Sequence, residues 1–175
     1  MPILKVARMG HPVLREKARE IAPEGLGSPE LAGFIDDLIE TMQEYAGVGL
    51  AAPQVHEGLR LFVMQTDPDD EATLRVAVNP KLTALGAEGW EDWEGCLSIP
   101  DIHGRVPRNN RVRLEALDAE GRAYSEELEG FAARVCQHEY DHLDGLIFID
   151  RMRDFSTLCF GEEYRRYHAP RPKEG

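Results

Sequence analysis

His138-Glu139-Tyr140-Asp141-His142 sets two imidazoles four residues apart with a carboxylate beside the first. On a helix, positions i and i+4 share a face one turn apart, so both rings can converge on one metal ion. Glu139 can then reach a water held by that ion and serve as its general base. The bland alternative is a surface helix that carries two histidines by coincidence. Phe131, Val135, Cys136 and Leu143 give the segment an apolar side, which favours a site. A catalytic metal ordinarily takes three protein ligands and keeps one position open. An extended HExxHxxGxxH pattern would need His at position 148, which is Phe148. Two kinds of third ligand remain. Glu162 or Glu163 stands about twenty residues after His142, the arrangement of a His–His–Glu metallopeptidase. Cys96, in Glu94-Gly95-Cys96-Leu97-Ser98 ahead of Pro100, offers a thiolate that suits the same metals. Taken alone, a single cysteine is more often a buried core thiol; Cys136 and Cys159 read that way. A third segment, Gly47-Val48-Gly49-Leu50-Ala51-Ala52-Pro53-Gln54, has small residues that let backbone approach a ligand. Its Gln54 amide can donate to an oxyanion. A helix cap and connector would read the same.

Two helices must position these groups. One is predicted from Ser28 to Ala46, with Ser28 as N-cap and Pro29 in the first turn. Leu31, Phe34, Ile35, Leu38, Ile39, Met42 and Tyr45 form its apolar stripe, and Gly47 is the expected left-handed residue beyond it. The second runs from about Phe131 to Leu143 and ends at Gly145. Strand-like segments are Leu59–Thr66, Leu74–Asn79, Arg111–Asp118 and Arg122–Leu128, the last two joined by a turn at Ala119-Glu120-Gly121. Leu146–Ile149 is a short apolar run, and Asp67–Glu71 reads as a solvated loop. The order is mixed rather than alternating. It predicts an α+β fold with antiparallel sheets around a central helix carrying the HExxH motif.

Composition narrows the classes. The 175 residues carry 20 Lys+Arg against 32 Asp+Glu, a net charge of −12, which argues against broad nucleic-acid binding. No run of 18 apolar residues exists, so no membrane span is expected. The first twenty residues lack an apolar signal core, and three cysteines make no secreted disulfide framework. The expectation is a cytoplasmic chain forming one catalytic domain over residues 1–175, with 153–175 as a C-terminal extension.

Together the three segments resemble the peptide deformylase family. That family carries GxGLAAxQ, EGCLS and HExDHxxG; here they stand in order as Gly47–Gln54, Glu94–Ser98 and Gln137–Gly145. Gly10–Arg15 (GHPVLR), Val106-Pro107-Arg108 and Asp118–Gly121 also match, so the similarity spans about residues 2 to 152. The resemblance implies that Cys96, His138 and His142 ligate one divalent metal: Fe(II), with Zn(II), Ni(II) or Co(II) as substitutes. It implies Glu139 as acid/base, Gln54 and the Leu97 backbone N–H as oxyanion donors, and Gly49 as a backbone contact to substrate. Gly47, Val48, His103 and Arg134 join it as expected substrate-pocket residues. The implied reaction removes the formyl group from N-terminal formyl-methionine of nascent polypeptides. The rivals are an HExxH metallopeptidase with Glu162 as third ligand and a divergent paralogue with another substrate.

Some positions depart from the family pattern. His103 replaces an arginine of some relatives, and Ala46 an acidic residue, which predicts an altered pocket rim. Asp141 is a candidate for orienting the helix or a ligand on it, but reads most simply as an exposed carboxylate. Residues 151–175 carry a net +2 against −14 for the rest. A basic C-terminal helix docks on the ribosome in some relatives; here Gly161 is expected to interrupt that helix and Pro170 and Pro172 to end it, with the tail frayed beyond.

Overall fold

In a computed structural model, which describes residues 3–87 and 89–170, the first helix starts where its capping residues put it. The Ser28 hydroxyl accepts a hydrogen bond from the Leu31 N–H at 3.2 Å, and Pro29 opens α1 (Pro29–Glu44). Its stripe buries Leu31, Ile35, Leu38 and Met42. The helix ends in a way the sequence did not suggest. Ala46, not Gly47, takes the left-handed conformation, at φ +51°. The N–H of Ala46 bonds the Gln43 carbonyl and that of Gly47 bonds the Met42 carbonyl, the paired pattern that closes a helix C-terminus. A Cβ in this region costs about 1 kcal/mol. Ala46→Gly is therefore expected to raise Tm by about 2–4 °C; a thermal scan showing no gain would remove strain from the account.

The chain then lays down β1 (Gly49–Ala51), β2 (Leu61–Gln65), β3 (Leu74–Ala84), β4 (Gly89–Cys96), β5 (Ile99–Asn109), β6 (Arg111–Leu117) and β7 (Ala123–Glu129). After α2 (Gly130–Leu143) come a two-residue β8 (Cys159–Phe160) and α3 (Gly161–Tyr167). One antiparallel sheet has the order β1-β2-β3-β6-β7, and a second has the order β4-β5-β8. This is the α+β class that the element order implies.

β2 explains the layering. All five of its residues are buried, and successive side chains point to opposite faces. Leu61 and Val63 pack with Leu38 and Met42 of α1, whereas Phe62 and Met64 pack with Ala133, Cys136 and Leu143 of α2. On its other side α2 meets β5, and Ile147, Phe148 and Met152 fill a third cluster with Ile99 and Val106. The Leu146–Ile149 run is thus core filler, with Phe148–Arg151 forming a 3-10 turn. The second helix is central, with the five-stranded sheet on one face and the three-stranded sheet on the other.

Three expectations need correction. The connector reading of Gly47–Gln54 holds only in part, since Gly49–Ala51 pairs with β2 as a strand. The β4–β5 hairpin, which carries Cys96, was not expected at all. Gly161 starts a helix rather than interrupting one, because β8 pairs with Ile102 and His103 immediately before it. Pro172 and the rest of the tail beyond Pro170 lie outside the described residues. Among those described, no helix is long and apolar enough to cross a membrane.

Candidate metal centre and substrate cleft

α2 is buried on nearly every side although much of it is polar. Buried polar groups need partners, and those of α2 sort by which have one. Gln137 accepts from the Asn109 N–H at 3.0 Å and donates to its carbonyl at 2.8 Å, tying the helix to the end of β5. Asp141, expected to be exposed, is only 5% accessible and accepts from Arg108 at 2.5 Å and Arg151 at 2.6 Å. Arg134 donates to Glu94 and to the carbonyls of Trp90 and Val106. Glu139 Oε2 and His142 Nδ1 are buried without a hydrogen-bond partner.

His138 and His142 do share one face, and the hairpin turn after β4 delivers Cys96 to it. One nitrogen of each ring and the Cys96 sulfur all lie within 4.8 Å of one another. Cys96 Sγ stands 3.4 Å from His142 Nε2. Tetrahedral bonds of 2.0–2.3 Å separate neighbouring donors by about 3.5 Å, so the spacing suits one ion. A thiolate with two imidazoles is also a donor set that divalent transition metals accept. The residues fit a metal. Glu162 stands exposed in the first turn of α3, outside this group, and Cys96 is the donor that stands with the two histidines.

Glu94 sets one of the rings. Its carboxylate lies 2.9 Å from His138 Nδ1 and accepts from Arg108 at 2.9 and 3.0 Å and from Arg134 at 2.8 Å. Burial would raise this carboxyl, but the bonds from His138 and Arg108 outweigh it and hold it well below the ordinary range. A carboxylate on Nδ1 fixes the tautomer that leaves Nε2 for a metal. Neither Glu94 nor Arg108 had been given a role from the sequence, although both lie in matched motifs. A glutamate just before Gly-Cys and an arginine fourteen residues on carried no recognisable pattern.

The remaining groups close around this centre. Gln54 Oε1 accepts from the Ala51 N–H at 2.8 Å, which turns its Nε2 toward Cys96 Sγ at 3.4 Å and Ser98 Oγ at 3.2 Å. A Cβ on Gly49 would come within 2.7 Å of the Glu139 carboxyl carbon, so only glycine lets β1 lie against that side chain. Burial, only partly offset by His138, raises the Glu139 carboxyl to about 7. Gly49, Gln54, Glu94, Cys96, His138 and Glu139 line one cleft of about 800 Å³, together with Gly47, Val48, Leu97, His103 and Arg134. Arg134 reaches the cleft wall, but its charge is turned inward onto Glu94. His103 lies across Gly95 and stacks on Tyr164 at 4.5 Å.

The family model described as polypeptide deformylase matches residues 3–157. The chain belongs to the polypeptide deformylase family. Peptide deformylase 2 of Nostoc sp. is 38% identical over 169 residues, 93% of each chain. The structure of peptide deformylase from Thermotoga maritima superposes with a TM-score of 0.81 at 38% identity, covering 88% of this chain and all of that one. A class I type b peptide deformylase from Acinetobacter baumannii, solved with Met-Ala-Ser bound, has a TM-score of 0.81 at 34% identity, covering 86% and 99%. This deformylase is an enzyme that removes N-formyl groups from nascent peptides. Its family implies a divalent metal, and the Cys–His–His group is where this chain could hold one.

Proposed function

We propose that Cys96, His138 and His142 hold the divalent metal, with Fe(II) as the native ion and Zn(II), Ni(II) and Co(II) as substitutes. Glu139 carries the protons of formyl-methionine hydrolysis. The supporting observation is the convergence of those three donors beside a buried Glu139 whose Oε2 has no hydrogen-bond partner, at the cleft that Cys96, His138 and Glu139 line. A bound divalent cation would act as a Lewis acid that polarises the formyl carbonyl and eases loss of a proton from water. Glu139 accepts the proton of the attacking water and returns it to the methionyl nitrogen as the C–N bond breaks. Gln54 Nε2 and the Leu97 N–H donate to the formyl oxygen as it gains charge, each worth on the order of 10²-fold. Gly47, Val48 and Gly49 present backbone to an extended peptide. The tripeptide Met-Ala-Ser, bound by the Acinetobacter relative, is the product of the simplest test substrate.

The test measures metal content and formate release from formyl-Met-Ala-Ser with protein prepared without oxygen and loaded with Fe(II). Cys96→Ala is expected to lose the metal and all turnover. Metal retained in full by that variant would return the third ligand to another residue and sink this assignment.

The substrate exists where ribosomes make formylated chains, which puts the enzyme in bacterial-type cytoplasm. A ribosome contact rests on less: Arg153, Arg165 and Arg166 are exposed on the C-terminal segment. Since β8 and α3 brace β5, charge reversal is a cleaner test than truncation. Arg165→Glu with Arg166→Glu should abolish co-sedimentation with ribosomes; unchanged co-sedimentation would clear this face of that role.

A further inference from the structure

Trp93 and Gly95 share one face of β4, and the register opposes Trp93 to Arg105 and Glu94 to Gly104. His103 therefore falls on the same face as Trp93, across the bulge from Gly95, where a Cβ would stand 3.1 Å from the imidazole. The opposite face carries Glu94 and Arg108 inward to α2. What covers the Trp93–His103 face is the C-terminal segment. β8 adds to β5 at Ile102 and His103, and α3 then lays Tyr164 flat on His103, at 4.5 Å and 7° between planes. Trp93 packs against both Tyr164, at 5.2 Å, and His168, at 4.7 Å. Trp93, His103 and Tyr164 are half-buried, and all three line the cleft that holds Cys96 and Glu139.

Resting on the deformylase reading of this cleft, we propose that Trp93, His103 and Tyr164 form an aromatic wall that selects large apolar or aromatic side chains just after formyl-methionine. Distance supports the placement. A strand rises about 3.3 Å per residue, so Trp93 lies about 10 Å along β4 from Cys96. An extended substrate with its formyl carbon beside Cys96 spans that distance with its next two residues. Ring faces and edges attract apolar and aromatic groups and give a charged side chain little. Burial, with Arg165 nearby, lowers the His103 pKa, which favours the uncharged ring. The C-terminal segment thus contributes to substrate choice through Tyr164, although it supplies none of the proposed ligands or proton-carrying groups.

The experiment compares kcat and KM for formyl-Met-Ala-Ser, formyl-Met-Phe-Ser, formyl-Met-Ala-Phe and formyl-Met-Asp-Ser. In the wild type, at least one of the two phenylalanine peptides is expected to exceed formyl-Met-Ala-Ser about tenfold in kcat/KM. The aspartate peptide should fall below it. The gain should appear in KM, since a side-chain contact holds ground state and transition state alike. Tyr164→Ala should bring the phenylalanine advantage to within about twofold, and Tyr164→Phe should keep it. Calorimetric titration with the deformylated products Met-Ala-Ser, Met-Phe-Ser and Met-Ala-Phe gives a readout independent of turnover, and the same ranking is expected in Kd. Equal kcat/KM across the panel with good turnover would overturn the wall and leave the deformylase intact. An undiminished phenylalanine advantage in folded Tyr164→Ala would do the same. A wild type that releases formate from none of the four peptides would overturn the reading beneath it as well.

Discussion

Glu139→Gln is expected to lower kcat for formate release by at least 10²- to 10⁴-fold while leaving the metal content of the protein unchanged. The amide keeps the shape of the side chain against Gly49, where there is no room for rearrangement. It cannot accept a proton from water at any working pH. Glu139 is 4% exposed, and its Oε2 has no hydrogen-bond partner. The native protein therefore bears a cost for burying this carboxylate that His138 offsets only in part. Stability should accordingly hold or rise in the variant, so a fall in activity cannot be put down to unfolding. The paired measurement is formate release, metal analysis and Tm on one preparation. Retention of more than about a tenth of wild-type kcat would assign proton transfer to another group.

The two histidines and Glu139 were legible because their geometry is local: a helix of 3.6 residues per turn brings i and i+4 together wherever it lies. Ser28 and Pro29 marked the start of α1 for the same reason. Cys96 was different. Spacing alone left it level with Glu162, since nothing along the chain says that residue 96 returns to α2 while residue 162 does not. That choice depends on the β4–β5 hairpin, which propensity hides. Glu94, Gly95, Pro100, Gly104, Pro107 and Arg108 break its apolar alternation. Glu94 and Arg108 look solvated because charged residues usually are. They are buried only because each supplies what the other needs, across fourteen residues of sequence. Asp141 misled in the same way. Ala46 misled by identity, since glycine is the residue normally read as a left-handed cap and one stood next to it. Local periodicity was readable; pairing between distant charges was not.

That pairing predicts the second large effect, at Glu94. One carboxylate serves Arg108, Arg134 and His138 at once, and the side chains of both arginines are under 5% exposed. Glu94→Ala would leave the buried Arg134 guanidinium with no carboxylate and Arg108 with Asp141 alone, and breaking a buried pair from one side costs about 3–5 kcal/mol. Against a total stability of about 5–15 kcal/mol, that is a large fraction. The variant should unfold at a much lower denaturant concentration. Glu94→Gln keeps the shape and one acceptor oxygen, so it should fold well enough to report on the metal. It gives His138 Nδ1 a neutral amide in place of a carboxylate. Losing such an orienting carboxylate typically weakens metal binding by about 10–100-fold, which a competition titration against a chelator reads directly. The sign of the pH dependence follows from the carboxyl itself. Its folded pKa lies below its ordinary value of 4.5. Its contribution is therefore full above that value and fades as pH falls toward the folded one. The Glu94 share of the stability gap between wild type and Glu94→Gln should narrow on acidification below about 4.5. A gap that widened on acidification would mean that Glu94 is protonated in the folded protein. A hydrogen-bond donor, rather than a charge, would then orient His138.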